Sequence, residues 1–436
     1  MRGSVRSVVS KWAIPGAGQL QNSLGSDVVP AATGSITSGE ARTVEQRRYN
    51  RPGSIAAMIM LSNPAGLAMA CTPGIVTVFA REGTVSARQA TMLGSCELAG
   101  MTLALILASL VLSTIDRRRL AFSAVIAAVL GHVLLLVPGS YPQILACQFL
   151  AGLGEGVMAA VAVAAIAGTE GPDRLFALNM ASNLIASSLF FVFLPHLTAG
   201  GGVRSVECAL SICAVCFGLG LPWLPRRAPS AVRDRNVSRT QIFKFEDWLP
   251  GLLGLCGTLA FLAGVGSVWP VIGQIGASRH LPLPLVSSAL AVAGVAGVAS
   301  ALFATWLGVR RGRLFPLVLA SLGLICAMLV LLVERAPELF FVDVICFMFW
   351  WIFAVPYFLG LLAALDPSGR LAAFSVAMQT CGLALGQALS AIIVGIATYS
   401  ATIYAGIAFV VIALLVMLTA VRLHENRLAG FGAKVS

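Results

Sequence analysis

Twelve apolar runs, each long enough to cross a bilayer as a helix, dictate what this chain can become. They fall at about 55–80, 91–114, 120–138, 142–168, 173–198 and 205–223, then at about 248–273, 282–308, 314–333, 338–364, 369–395 and 401–422. Roughly 20 apolar residues, at about 1.5 Å of rise each, match the hydrocarbon thickness. Transmembrane strands would alternate in polarity and need only about ten residues. The expected fold is therefore all-α: a polytopic membrane protein of twelve helices. Composition agrees, with 58% hydrophobic residues, 11% charged and a mean hydropathy of +0.91. A soluble chain carries about 25% charged residues. A soluble enzyme, a disordered chain, a collagen-like fibre and a disulfide-stapled secreted domain are all excluded.

The formal charge of +11 would suggest nucleic acid in a soluble protein. Here the bases sit between the apolar runs, so they read as topology and no nucleic-acid partner is expected. Of the 29 Lys and Arg, twenty-four fall in the N-terminal tail, the even-numbered loops and the C-terminus, and five in the odd loops. Positive residues stay inside, which puts both termini in the cytoplasm. Residues 1–54 are rich in Gly, Ser, Thr and Arg, and no apolar h-region follows Arg2, Arg6 and Lys11. They read as a disordered cytoplasmic tail, with a start codon misassigned upstream as the alternative. Residues 225–247, carrying Arg226, Arg227, Arg233, Arg235, Arg239 and Lys244, read as a basic cytoplasmic linker. It separates a six-helix bundle at 55–224 from a second at 248–422, and 423–436 form a cytoplasmic tail. The ten cysteines lie within or at the ends of apolar runs, and Cys213-x-x-Cys216 has no second pair, so they read as small packing residues.

The halves repeat. Asp116-Arg117-Arg118-Arg119-Leu120 matches Arg310-Arg311-Gly312-Arg313-Leu314, and Asp173-Arg174-Leu175 matches Gly369-Arg370-Leu371, at nearly one offset. On that offset Asn183 pairs with Gln379. Transporters built from repeats place their substrate site between them, near the midplane. Twelve spans, cytoplasmic termini, a basic central loop and basic loops after spans two and eight resemble the major facilitator superfamily (MFS) over about 55–422. Of the family's second-loop motif, Asp116 and the Arg117–Arg119 cluster are present, while Leu112 stands where the motif has Gly. The fifth span lacks the G-x-x-x-G-P pattern of the family's drug/proton antiporters. The resemblance implies two halves rocking about a central cavity. It also implies a conformational gating role for Asp116, Arg117, Arg118 and Arg119, with Arg310, Arg311 and Arg313 opposite them.

Ionisable groups cost about 2.5–3.5 kcal/mol at a span centre on insertion scales, so each is a functional candidate. Glu155 leads. It lies mid-span in Gly152-Leu153-Gly154-Glu155-Gly156, and Gln148, Gly152, Glu155 and Ala159 form one helical stripe. It reads as a protonatable or cation-binding carboxylate, against a protonated Glu that only glues helices. Glu97 reads equally as a relay group or a packed residue. His132 is a minor candidate for proton handling, and Asp343 reads as interfacially solvated. The repeat offset sets Glu155 opposite Trp351. Trp350, Trp351 and Tyr357 suggest an aromatic wall for substrate or large-residue packing, with Pro356 bending the helix. Asn179, Asn183 and Gln379 offer uncharged hydrogen bonds for substrate or for helix association. No pair of the four histidines has metal-ligand spacing, no Arg or Lys lies deep in a span, and neither a metal nor a cofactor is expected.

The expected function is secondary active transport of a small molecule by alternating access, coupled to protons through Glu155, in a bacterial cytoplasmic (inner) membrane. A neutral, cationic or aromatic substrate suits the lining better than a highly charged anion, and the expected unit is a monomer. The alternatives are a membrane-embedded enzyme, which would need clustered acid/base or metal-binding side chains, and a channel, which the repeat disfavours. A nucleotide-driven pump is disfavoured because no G-x-x-x-x-G-K-[ST] motif exists.

Overall fold

A computed structural model describes residues 48–83, 85–112, 114–226, 245–308, 314–333, 336–365 and 370–435. All regular structure in them is helical. The elements are α1 (Pro52–Arg81), α2 (Ala87–Val111), α3 (Arg117–Leu134), α4 (Tyr141–Ile166), α5 (Pro172–Gly218), α6 (Phe245–Val268), α7 (Ile272–Ser278), α8 (Leu283–Leu307), α9 (Leu314–Val333), α10 (Pro337–Leu365), α11 (Arg370–Val394) and α12 (Tyr399–Val435).

Among the described residues, ten helices are long and apolar enough to cross a membrane. One of them covers Arg174–Trp223, too long for one crossing, and it is broken. Gly201 and Gly202 leave the helical region, and Gly202 has a φ of 59°. A Cβ at Gly202 would also strike the Glu82 carboxylate, so only glycine fits. That carboxylate accepts a hydrogen bond from the Val203 N–H and so caps the second segment of α5. α3 falls short as a membrane segment because its first three residues are arginines. Counting α5 as two segments and including α3 gives the twelve helical segments that the sequence anticipates. The first-half boundaries differ by a few residues. The larger difference is at the C-terminus, where helix α12 continues through Val435 instead of ending near 422. Most of the basic linker, 227–244, lies outside the described residues, as do residues 1–47 and Arg310, Arg311 and Arg313.

Consecutive helices run up and down, so the connections alternate between two ends of the molecule. One end carries 82–86, 135–140 and 279–282, and the other 112–116 and 167–171. Helix starts are fixed locally. Ser86 and Gln89 form a reciprocal capping box on α2, and Asp116 caps α3 by accepting from the Arg118 N–H at 2.9 Å.

Small residues bring α4 against both α2 and α3. A Cβ at Gly152 would lie 1.9 Å from the Glu97 carbonyl oxygen, and one at Gly156 2.5 Å from that of Met101. A Cβ at Gly154 would lie 2.4 Å from the Ala128 nitrogen. Backbones in van der Waals contact replace the interlocking of large side chains here. Two further seams join α1–α5 to α6–α12: α2 against α11, and α5 against α8. The first is held by donors that reach main-chain oxygens. Gln387 Nε2 donates to the Thr91 carbonyl at 3.0 Å, and Ser95 Oγ to that of Ala384 at 2.8 Å. Beside that seam, Trp269 Nε1 donates to the Ala70 carbonyl of α1 at 3.2 Å.

Candidate functional site

Four titratable side chains meet inside α2–α5. Glu97 comes from α2, His132 from the last turn of α3, Glu155 from the middle of α4 and Glu207 from the second segment of α5. All are at most 3% exposed. His132 sits between two carboxyls, with Nδ1 2.8 Å from Glu207 Oε2 and Nε2 3.3 Å from Glu155 Oε1. Gln148, two turns before Glu155 on the same face, donates through Nε2 to Glu207 Oε1 at 3.4 Å. One donor atom each from Glu97, His132 and Glu155 lies within 4.8 Å of the others. Glu155 Oε2 is buried and receives no hydrogen bond from any described donor. The glycines of α4 explain the geometry. Gly152 lets the α2 backbone at Glu97 come against α4, and Gly154 does the same for α3, so the three helices converge around Glu155.

The groups form a connected series, Gln148–Glu207–His132–Glu155–Glu97. Gln148 and Glu155 are seven residues apart on α4, or about 10 Å along its axis. Gly131 of α3 lies against Ala151, and Glu97 of α2 lies against Gly152, so His132 and Glu97 meet α4 at about the same height. Chemically it is an acid–imidazole–acid array. An imidazolium can balance only one carboxylate, so three ionised glutamates here would leave uncompensated charge at a cost of several kcal/mol each.

The other candidates lie elsewhere. Asn179 and Asn183 join α5 to α1. Ser62 Oγ donates to the side-chain oxygens of both, and Asn63 Nδ2 donates to Ser182 Oγ at 3.1 Å. Gln379 bonds within its own helix, to Ser375 Oγ at 3.2 Å. The aromatic residues of α10 separate. Trp351 packs edge-on against Trp269 at 5.6 Å, while Trp350 lies over Gly323 of α9. Tyr357 is buried and donates to the Ala304 carbonyl at 3.0 Å. No single wall contains all three, because adjacent residues leave a helix about 100° apart. Trp351 faces Trp269 and not Glu155.

One charge assignment is corrected. Asp343 is 4% exposed and not solvated at an interface. Arg117 is buried, and its Nη1 donates to the Tyr49 hydroxyl at 2.9 Å. Its N–H donates to the Arg226 carbonyl, and Arg118 Nε to that of Leu224. Among the described residues, Arg117 and Arg118 bond to the segments flanking α1–α5, while Asp116 serves as a helix cap.

The family model of the Major Facilitator Superfamily matches residues 58–389. The chain belongs to this superfamily of membrane transporters. Solved structures share its fold. A mutant of the peptide transporter POT aligns at a TM-score of 0.60 and 15% identity, covering 85% of this chain and 94% of that one. A D-xylose–proton symporter aligns at 0.63 and 13% identity, covering 85% and 95%. No curated protein matches the sequence. Sequence reasoning reached four members of this superfamily member's cluster, Glu97, Gln148, Glu155 and His132, but missed Glu207. The available signal was an acidic residue inside the sixth apolar run. It lies three residues from Arg204, near the start of that run, where a charged side chain can reach the interface.

Proposed function

We propose that the chain is a proton-coupled secondary transporter that moves a small molecule by alternating access. The carrying observation is the buried Glu207–His132–Glu155 array beside Glu97. Protons must neutralise part of this array whenever it is sealed from water, because its carboxyls outnumber its one cationic partner. A conformational change that opens the array to one side and then the other lets the same carboxyl take up and release a proton. Glu155 is the central member, in contact with both His132 and Glu97. The proton symporter among the similar folds supports the coupling.

The two six-helix units, 55–224 and 248–422, rock against each other about the seams of α2 with α11 and α5 with α8. The substrate is neutral, cationic or aromatic, and Asn179, Asn183 and Gln379 supply uncharged hydrogen bonds near those seams. The chain works as a monomer in the cytoplasmic membrane, with both termini and the linker 225–247 in the cytoplasm, as the charge bias requires. A maleimide that cannot cross membranes should leave a cysteine at position 235 unlabelled in intact cells, and labelling there would overturn the orientation.

Coupling is tested in proteoliposomes loaded with a pH-sensitive dye and challenged with neutral and cationic solutes, D-xylose and dipeptides first. A transported solute should move the internal pH, and an imposed proton gradient should drive its accumulation. In Glu155→Gln, accumulation should fall to background while solute exchange persists. Full accumulation in that variant, at equal protein in the membrane, would remove Glu155 from the coupling step.

A further inference from the structure

Glu97, His132 and Glu155 turn ligand atoms toward one another, and Glu155 Oε2 has no hydrogen-bond partner among the described residues. His132 Nδ1 faces Glu207 at 2.8 Å. With its proton on Nδ1, the ring turns the Nε2 lone pair toward Glu155 Oε1, 3.3 Å away. The Glu97 oxygen completes a group of three donor atoms within 4.8 Å. Converging lone pairs in a buried space repel unless something positive lies among them. A proton satisfies one pair of donors. A cation satisfies all three.

From this geometry we infer that the pocket binds a divalent first-row transition cation, with Glu97, His132 Nε2 and Glu155 as ligands. Three features define the class. Imidazole plus carboxylates, without thiolate, suits Mn, Fe, Co or Zn, and the nitrogen donor disfavours Ca and Mg. Bonds of about 2.0–2.2 Å in a tetrahedron put neighbouring donors about 3.4 Å apart, close to the His132–Glu155 distance. The two ligand carboxylates, a neutral imidazole and a dication sum to zero charge, and the Glu207 carboxylate on the far ring nitrogen adds one negative charge that the Gln148 amide helps to hold. Glu207 then has a distinct role. It holds the imidazole by its second nitrogen, the carboxylate–histidine–metal arrangement that orients a ligand and raises its basicity. Gln148 in turn donates to Glu207. Sequence spacing could not disclose the site, because the donors come from three helices. The ligands all come from α2–α4, are at most 3% exposed and include none from α6–α12 among the described residues, so the cation regulates or stabilises the transporter and is not its cargo. The inference does not depend on Glu155 carrying a coupling proton.

The untagged full-length protein in lipid nanodiscs is titrated with Co2+ and followed by visible absorption, with Zn2+ as competitor. The expected result is one Co2+ per chain, with ligand-field bands, no sulfur-to-cobalt charge transfer, and displacement by Zn2+. Glu155→Gln and Glu97→Gln should each abolish the bands. Glu207→Gln should keep them and weaken affinity about 10–100-fold. Absence of stoichiometric binding by the wild type would overturn the inference, as would bands that survive both ligand substitutions or carry a sulfur signature from the cysteines. If one ligand variant fails to fold, the other reports the same result. Metal binding without solute-linked proton movement would uphold the site while sinking the coupling assignment, and the reverse pattern would do the opposite.

Discussion

Helices α2–α5 bury three glutamates, a histidine and a glutamine against one another, whereas α6–α10 bury rings. Trp269 stacks on Phe347 at 5.9 Å and meets Trp351 edge-on, and Phe261 packs on Phe358 at 4.9 Å. The two interiors respond differently to their surroundings. Ring packing rests on area and dispersion, so its energy is the same at every proton concentration. The acid–imidazole interior changes its energy with every proton gained or lost. The energy of one interior thus depends on proton concentration, and that of the other does not.

The largest effect that could break this contrast is on stability. His132→Ala removes the cationic partner that the buried carboxyls have among the described residues and should cost about 3–5 kcal/mol. Thermal unfolding in detergent would measure it. An unchanged midpoint would mean that the carboxyls hold their own protons and that the imidazole is no counter-charge. Next comes the backbone contact that builds the array. Gly152→Ala places a methyl against the Glu97 carbonyl and should cost about 1–3 kcal/mol while separating Glu155 from Glu97. Gly360→Ala on α10 meets nothing within 4 Å and serves as the control, expected within about 0.5 kcal/mol of the parent. Equal losses at the two positions would show that the close approach at Gly152 is not a constraint. On the aromatic side, Phe347→Leu should cost about 1–2 kcal/mol and leave the protons moved per solute unchanged. An altered stoichiometry would make the ring cluster part of the coupling. The smallest effect is at Trp269→Phe, which keeps a ring but loses the donor to Ala70, worth about 0.5–1.5 kcal/mol. The neighbouring Cys71, fully buried, should then react faster with maleimide, as followed by mass spectrometry. Unchanged labelling would show that this hydrogen bond does not hold the two sides together.

The helices were legible because hydrocarbon imposes a length and a composition on every span, and both can be read residue by residue. Glu155 was legible for the same reason: a carboxylate in the middle of an apolar run is conspicuous. The array was not. His132 and Glu207 are 75 positions apart, and their meeting depends on how α3 and α5 are rotated about their axes. Periodicity reports which residues share a face, but not which neighbour that face meets. The repeat offset has the same limit. It pairs Glu155 with Trp351 by position in the chain but says nothing of the direction in which either side chain points. The burial of Arg117 was not legible because the residue that its guanidinium meets, Tyr49, lies in the stretch before the first span.

Gln387, Ser95 and Trp269 all grip main-chain oxygens, and that has an evolutionary consequence. Every residue type offers the same carbonyl, so Thr91, Ala384 and Ala70 can drift among homologues without loosening their partners' hold. Pairs of positions in these contacts need not mutate in step. Methods that infer proximity from correlated substitutions would see little here, although the contacts are close and polar. The burden falls on one member of each pair. A saturation scan should find Gln387, Ser95 and Trp269 intolerant, and Ala384 and Ala70, whose carbonyls Ser95 and Trp269 hold, permissive toward any side chain that fits the space.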